Sequence, residues 1–279
     1  MTTTPARPRR RDVADAYDLG VDAYDALWSP VILPPAAGLV PMLGLTAGSV
    51  VTDIGAGSGA LTSAIRAAAP SVRVIALDAS AGMLRAARAR GQAHVVQADA
   101  VALPLAGESV DSALLAYVLF HVSDPARAVA EAARVLRAGG RAGVVTWARE
   151  SAPRVYAAWD DILAEAGVPP GPLRRLDAGL DRTESVARML EAAGLRPERL
   201  WEQRLRRQWD RTSLWALATG AGSYRVRLNR VDGELRSEVV ARLKRHIDHA
   251  EPADLLWEGD VICAVGLKPL SRPLSDAVI

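Results

Sequence analysis

The chain has 279 residues, of which 50% are hydrophobic and 24% are charged, with a formal net charge of +2. This length suffices for one well-filled α/β core and about a hundred further residues that could cover a substrate. No apolar run reaches the roughly 18–20 residues of a membrane span, and the scattered arginines form no dense basic stripe, so we expect neither a membrane protein nor a nucleic-acid binder.

The N-terminal region begins with a basic segment. We expect residues 1–11, MTTTPARPRRR, to form a disordered tail. Asp12, Asp15 and Asp18 follow in place of the apolar core of a signal peptide, so the expected location is cytoplasmic.

Two helices are predicted before the first strand. Apolar residues recur every three or four positions over residues 12–28, which is typical of an amphipathic helix. Pro34 and Pro35 are expected to separate this helix from a short one at Ala36–Leu43.

From residue 49 onward, short apolar runs alternate with helical stretches. The predicted strands are Ser49–Ile54, Val72–Leu77, Ala93–Ala98, Ser112–Val118 and Arg141–Trp147. The predicted helices are Ala60–Ala69, Ala81–Ala89 and Asp124–Leu136, the last of which Asp124 would cap. Apolar strands that alternate with helices indicate an α/β fold with a doubly wound, mostly parallel sheet covered on both faces.

The second part of the chain completes a seven-stranded sheet. The predicted helices are residues 151–166, Glu184–Ala193 and Glu234–Ile247, and the predicted strands are Arg199–Trp209 and Asp260–Leu267. The arginines of the first of these two strands indicate an edge position. We therefore expect a single structural domain, with a core and N-terminal lid helices over residues 12–150. Residues 151–279 would complete the sheet and add a helical insertion, residues 211–255, between the last two strands.

The segment VTDIGAGSG at residues 51–59 joins the first strand to the first helix of the core. Glycines at this point allow a ligand to approach the backbone, at the sheet edge where ligands bind in such folds. The spacing of Gly55, Gly57 and Ala60 also matches a dinucleotide fingerprint, so the glycine loop alone leaves a nicotinamide-dependent oxidoreductase open.

Three acidic residues favour a different ligand. Asp53, Asp78 and Asp99 follow three successive strands. A carboxylate under the glycine loop would repel a pyrophosphate and attract an ammonium group, while the other two could accept from ribose hydroxyls and an adenine amino group. The acids therefore describe a ligand with an amino group, a ribose and an adenine but no phosphate, which argues against the oxidoreductase.

Five segments, the glycine loop among them, carry a family resemblance. They are VTDIGAGSG at residues 51–59, VIALDAS at 74–80, QADAVALPLAGESVD at 97–111, LLAYVLFHVSDP at 114–125 and RVLRAGGRAGVVTW at 134–147. In these segments the chain resembles the class I S-adenosylmethionine-dependent methyltransferases, and among them the branch of the ubiquinone and menaquinone biosynthesis enzymes. Thr52 stands where leucine is common, and a strand tolerates it.

The resemblance implies methyl transfer from S-adenosyl-L-methionine to a small-molecule acceptor, with S-adenosyl-L-homocysteine as product. The implied cofactor-binding residues are Tyr24, Asp53, Gly55, Ala56, Gly57, Asp78, Ala79, Met83, Asp99, Ala100 and Tyr117. Tyr24-Asp25 matches a Tyr-Asp pair that closes over the methionine end, and Tyr17-Asp18 is a second candidate.

On the acceptor side, His121 is a candidate general base whose alternative role is to brace its loop, and Tyr117 is a second catalytic candidate. The aromatic residues expected near an apolar acceptor pocket are Trp28, Tyr156, Trp159, Trp215 and Tyr224. Cys263 is interpreted as a buried small side chain, and His94, His246 and His249 show no metal-ligand pattern, so no metal is expected.

Other functions stay open at this point. A protein with the same fold and cofactor could catalyse a cyclisation or act as a regulator without methylating anything. A nucleic-acid or protein methyltransferase is less supported, because no Asn/Asp-Pro-Pro-aromatic segment follows the fourth strand. The sequence is compatible with a monomer or a homodimer.

Overall fold

The computed structural model describes residues 10–168 and 180–270. Residues 1–9 of the tail expected at 1–11, and all but the first residue of the proline-rich break at 168–172, lie outside this part. The expected tail is wrong at residues 10 and 11, which begin the first helix. Within it, no helix is both long and apolar enough to cross a bilayer.

One sheet of seven strands forms the centre of the described part of the chain. The strands are β1 (Val50–Ile54), β2 (Arg73–Asp78), β3 (Val95–Gln97), β4 (Val110–Ala116), β5 (Leu136–Ser151), β6 (Arg196–Gln208) and β7 (Leu256–Leu267). Their order is β3-β2-β1-β4-β5-β7-β6, with β7 antiparallel to both neighbours and every other pair parallel. The doubly wound, mostly parallel sheet is thus confirmed. The strand order reverses between β1 and β4, which is the point where α/β folds bind ligands.

Helices cover both faces of this sheet. The helices of the described residues are α1 (Arg10–Asp18), α2 (Val21–Ala23), α3 (Ser29–Leu39), α4 (Ala60–Ala68), α5 (Ala81–Ala89), α6 (Pro125–Val135), α7 (Val155–Glu165), α8 (Thr183–Ala192), α9 (Arg211–Gly220), α10 (Gly222–Leu228) and α11 (Gly233–Asp248). Because α9, α10 and α11 lie between β6 and β7, the predicted insertion between the last two strands is confirmed.

The apolar runs of the sequence become the buried centre of the sheet. All five residues of β1 are buried, and Leu114 and Leu115 of β4 are fully enclosed. Cys263 of β7 is also fully buried, and burial raises the pKa of its thiol to about 12, which agrees with the predicted inert role. The long edge strand β6 is mostly exposed, as its arginines predict.

The N-terminal helices differ from the prediction of one helix over residues 12–28. The helix α1 begins at Arg10 and ends at Asp18, and Gly20 interrupts the chain before α2. A Cβ atom on Gly20 would lie 2.8 Å from the Cα atom of Ala221, so glycine allows this segment to pack against the insertion. Glycine also disfavours a continuous helix at this point.

The predicted break at Pro34 and Pro35 is wrong. A π-helical turn at Tyr24–Trp28 leads directly into α3, which continues through both prolines. Ile32 and Leu39 of α3 are buried in the core. We attribute the intact helix to this burial, which outweighs the loss of two backbone donors.

Candidate functional site

The glycine loop between β1 and α4 owes its shape to backbone angles that favour glycine. The φ angles of Gly55, Gly57 and Gly59 are 75°, 56° and 82°. A Cβ atom on Gly55 would lie 2.7 Å from Cβ of Val118, whereas one on Gly57 would meet only Sδ of Met83, at 4.0 Å. Space beside Gly57 therefore remains open for a ligand.

A cleft at this edge of the sheet, which we call the cofactor cleft, collects every site residue that the sequence analysis selected. Its lining includes Tyr24, Asp53, Gly55, Ala56, Gly57, Asp78, Ala79, Met83, Asp99, Ala100, Tyr117 and His121. The residue types and their placement at one edge follow the expectation, whereas the role of each residue stays a prediction.

The cofactor cleft is acidic. It contains the carboxyl groups of Asp53, Asp78 and Asp99, and no lysine or arginine is among the described residues that line it. The pKa of Asp53 is raised to about 6, mainly by burial and also by the nearby charge of Asp78, while a hydrogen bond from the Thr62 hydroxyl (2.7 Å) opposes the shift. Such a site favours a ligand with a positive charge and disfavours a pyrophosphate.

Asp78 has a structural task that the sequence analysis missed. Its carboxylate accepts hydrogen bonds from the backbone N–H groups of Gly57 and Ser80, each at 2.8 Å. Burial raises the pKa of Asp78, and these two hydrogen bonds oppose that shift. Asp78 therefore holds the glycine loop to the start of α5, in addition to its predicted contact with the ribose.

Asp99 both lines the cofactor cleft and closes a local turn. Its side chain lines the cofactor cleft and accepts a hydrogen bond from the backbone N–H of Val101 at 3.2 Å. Closing this turn fixes the carboxylate at the sheet edge, which is compatible with the predicted contact with an adenine.

The first Tyr-Asp pair fastens α1 to the core. Tyr17 lines the cleft, while the carboxylate of Asp18 accepts from the backbone N–H of Gly82 (2.8 Å) and from the hydroxyl of Ser80. An acidic side chain at the N-terminus of α5 is favourable because it satisfies an unpaired N–H and opposes the helix dipole.

The second Tyr-Asp pair, in the π-helical turn before α3, also fastens the lid to the core. Tyr24 lines the cleft, and Asp25 accepts from the hydroxyl of Ser58 and forms an ion pair with Arg90. Both pairs thus direct a tyrosine to the cleft and attach the lid through the following aspartate. The sequence alone could not reveal these partners, because they lie at least 33 residues further along the chain.

A second cavity of about 700 Å³, which we call the aromatic chamber, adjoins the cofactor cleft. Five residues line both spaces: Tyr17, Tyr24, Ile32, Tyr117 and His121. The remaining walls come mainly from the π-helical turn before α3, from β5, α7 and β7, and from the insertion. The sequence analysis expects an apolar acceptor pocket near aromatic residues, and the assignment of this chamber to the acceptor stays a prediction.

The aromatic lining differs in part from the expectation. Trp28, Tyr156 and Tyr224 line the aromatic chamber, but Trp159 is fully buried in the core and Trp215 packs against the core elsewhere. The tryptophans that the sequence analysis missed are Trp147, Trp209 and Trp257. They lie in or next to strands, where an apolar residue is normally assigned to the core.

Two candidate catalytic groups stand where the cleft and the chamber meet. His121 lies at the end of a 3₁₀ turn, Leu119–His121, and its Nε2 atom is 2.9 Å from Oη of Tyr17. Burial raises the pKa of Tyr117 above its ordinary value of 10, so this hydroxyl is protonated at neutral pH and can donate a hydrogen bond. The catalytic role of either group stays a prediction. No cluster suited to a metal ion occurs among the described residues.

Comparison with known proteins gives a consistent assignment. A family described as a methyltransferase domain matches residues 52–144. The chain is 38% identical over 125 residues to the ubiquinone/menaquinone biosynthesis C-methyltransferase UbiE of Hahella chejuensis, covering 42% of this chain and 50% of that protein. It is 36% identical over 160 residues to a malonyl-acyl-carrier-protein O-methyltransferase of Methylococcus capsulatus, covering 56% and 54%.

The chain thus spans about half the length of these two relatives. Among solved structures, the cyclase SpnF superposes with a TM-score of 0.56 at 20% identity, over 96% of this chain and 100% of that one, which shows a shared fold. Residues 52–144 thus form a methyltransferase domain, whose motifs and sheet order are similar to those of the class I S-adenosylmethionine-dependent enzymes and, among the relatives, to ubiquinone and menaquinone biosynthesis methyltransferases.

Proposed function

We propose that this protein transfers the methyl group of S-adenosylmethionine to a small molecule. One observation carries the proposal: an acidic cleft, whose described lining holds no lysine or arginine, shares a wall with a larger aromatic chamber. The cleft suits a cationic cofactor, and the chamber offers a second ligand direct access to it. Two ligands held side by side are what a direct group transfer requires.

The residues of the cleft fit this cofactor by their chemistry. The carboxylate of Asp53 would face its ammonium group, Asp78 would accept from the ribose hydroxyls, and Asp99 would meet the adenine amino group. The open space at Gly57 would receive the methionine moiety. When bound, the cofactor supplies an already activated methyl group.

The protein would align the two ligands and exclude water. Tyr17 and Tyr24 of the lid cover the junction, and their rings make an edge contact at 5.5 Å. A general base is needed only if the acceptor is a hydroxyl or a protonated amine, and His121, which lines both spaces, would take that role. We further propose that the protein acts on a free small molecule in the cytoplasm, as a monomer or a homodimer.

Cofactor binding is the first test. Calorimetry should show micromolar affinity for S-adenosylmethionine or its demethylated product, on the order of −7 to −8 kcal/mol, and NADH should not compete. Tight NADH binding with no binding of the sulfonium would overturn the assignment of the cleft.

Methyl transfer is the second test. The protein is incubated with cofactor that carries a radiolabelled methyl group and with a metabolite extract of the source cells. Label should enter the solvent-extractable fraction. A protein that binds cofactor but never transfers label would instead support the non-methylating alternative, a cyclase or a regulator.

A further inference from the structure

We infer that the methyl acceptor is an uncharged, ring-bearing molecule with an oxygen function that accepts a hydrogen bond from Tyr117. This inference rests on the proposed function and names the substrate class of the same site. It follows from the volume of the aromatic chamber, the charges around it and one unpaired hydroxyl group.

The size and lining of the chamber favour rings. Its volume of about 700 Å³ lies within the roughly 300–1,000 Å³ that is usual for sites of drug-sized ligands. Aromatic side chains line it from several directions: Trp28, Phe120, Trp147, Tyr156, Trp209, Tyr224 and Trp257. Flat aromatic surfaces contact ring systems in stacked or edge-on geometry, which a flexible polar chain cannot match.

Charged groups lie only at the exposed margin of the described lining. Two charged residues, Arg149 and Asp181, are among the described residues that line the chamber but not the cofactor cleft. The Arg149 side chain is 81% exposed and forms an ion pair with Asp260 at 3.0 Å, and Asp181 is exposed. An ionic acceptor would therefore lose its hydration without gaining a buried counter-charge.

Tyr117 supplies the polar contact. It belongs to the wall shared by the two spaces, and its hydroxyl has no hydrogen-bond partner among the described residues. A buried donor without a partner is costly, so a ligand atom that accepts its hydrogen bond would bind favourably. Because this hydroxyl stays protonated, the matching group on the acceptor is an oxygen such as a carbonyl, an enol or a phenol.

The backbone at Tyr117 supports a functional reason for this arrangement. Its φ angle is 57°, in the left-handed region that bulky residues rarely adopt. Strain of this kind is retained where the surrounding structure imposes it, and it often occurs at ligand sites. The residue is held by a hydrogen bond from its N–H to the carbonyl of Val145 (2.8 Å), which directs its ring to the junction.

Thr146 provides a second polar point next to Tyr117. Its hydroxyl also lacks a partner among the described residues, and the residue lines the chamber but not the cofactor cleft. Of these two residues, only Tyr117 belongs to the wall that the chamber shares with the cofactor cleft. We therefore place the oxygen that receives the hydrogen bond next to the site of methyl transfer.

Binding of a fluorescent probe tests whether the chamber takes such molecules. Prodan, a neutral naphthalene ketone, should bind with enhanced fluorescence. Ser223→Trp, in the chamber wall on α10, should abolish the enhancement, whereas Arg230→Trp, exposed just beyond that helix, should leave it unchanged. Equal enhancement in both variants would place the probe elsewhere and overturn the inference.

Competition against prodan tests the chemistry of the acceptor. In displacing the probe, acetylnaphthalene should show about tenfold higher affinity than ethylnaphthalene, because only the ketone can accept a hydrogen bond from Tyr117. Tyr117→Phe should remove this difference, while Thr146→Val should keep most of it. The inference is wrong if naphthalenesulfonate or naphthyltrimethylammonium competes as well as the ketone, or if Tyr117→Phe keeps the difference.

These outcomes separate the inference from the proposed function. Cofactor affinity is measured by calorimetry on the same proteins. If cofactor binds but the neutral ketone does not, the inference fails and the proposed function stands. If the ketone binds in the predicted way and cofactor does not, the proposed function fails while the assignment of the chamber remains.

Discussion

Oη of Tyr17 lies 2.9 Å from Nε2 of His121, although 104 residues separate them. The two rings also make an edge contact at 5.4 Å. A lid residue therefore positions the imidazole at the junction of the cofactor cleft and the aromatic chamber. Any proton transfer by His121 is consequently coupled to the placement of the lid.

This pair leads to the first prediction. If His121 is the base, His121→Ala should slow label transfer by about a hundredfold and leave cofactor affinity nearly unchanged. Tyr17→Phe keeps the imidazole and loses one hydrogen bond, so its rate should fall by about tenfold at most.

Melting temperatures of the same variants are the control. If His121 only braces its loop, His121→Ala should melt at a lower temperature and retain most of its rate. That result would remove the proposed base and leave the chemistry to alignment alone.

Asp53 gives the second prediction, which concerns stability. Its folded pKa of about 6 exceeds the ordinary aspartate value of 3.8, so keeping the side chain ionised at neutral pH costs the folded state about 3 kcal/mol. Asp53→Asn removes that charge, and the amide oxygen can still accept from Thr62. The variant should gain up to about 3 kcal/mol in unfolding free energy at pH 7 and lose affinity for the cofactor.

The sign of the pH dependence checks this reasoning. The folded protein keeps the Asp53 proton up to about pH 6, whereas the unfolded chain releases it near pH 4. The unfolding free energy of the wild type should therefore decrease as the pH rises from about 4 to about 6. Urea titrations should show the advantage of Asp53→Asn at pH 7 and almost none near pH 4; an equal advantage at both would contradict the shifted pKa.

The third prediction concerns the two tasks of Asp78. Asp78→Ala loses both backbone hydrogen bonds and the ribose contact, so cofactor binding should weaken by roughly 1.5–3 kcal/mol. The cofactor affinity of Asp78→Asn should lie between those of Asp78→Ala and the wild type, because its amide nitrogen cannot accept a hydrogen bond. Calorimetry gives the affinities, and hydrogen exchange at Gly55–Gly59 should become faster in the same order.

A matched carboxylate serves as control for Asp78. Asp210 also accepts two hydrogen bonds, both from Ser213 at the start of α9, but it lies outside the cofactor cleft. Asp210→Ala should cost helix stability and leave cofactor affinity unchanged. If it weakens cofactor binding as much as Asp78→Ala does, the loss is general and not specific to the ribose site.

The sequence could predict the sheet and the cofactor cleft because their determinants are local. The buried strand β1, which contains Asp53, and the glycine loop together occupy ten consecutive residues, 50–59. The helix start at Asp124 is equally local, and the structure confirms its cap on the N–H of Arg127 (2.9 Å).

The chamber and the lid contacts could not be predicted in this way. Trp147 and Trp257 come from β5 and β7 and reach the chamber only when those strands pair. In the same way, the partner of Asp18 depends on how α1 packs against α5, which no local pattern encodes. Periodicity finds an apolar face, but it does not distinguish a core from the wall of a cavity.

The attachment of the lid gives the last prediction. A Cβ atom on Gly82 would lie 2.8 Å from Oδ1 and 3.0 Å from Cα of Asp18. Gly82→Ala should therefore displace α1 and break the hydrogen bond from the N–H of Gly82 to Asp18. The change is otherwise favourable inside a helix, by about 1 kcal/mol, so α5 itself should not be destabilised.

Hydrogen exchange over residues 13–28 measures the effect on the lid without reference to activity. Loss of a charged hydrogen bond should speed exchange in this segment by roughly tenfold or more in Gly82→Ala. Gly38→Ala is the matched control, because a Cβ atom on that helical glycine meets nothing within 4 Å. If both variants exchange like the wild type, Asp18 does not hold the lid, and its attachment depends on Asp25 and its partners Ser58 and Arg90.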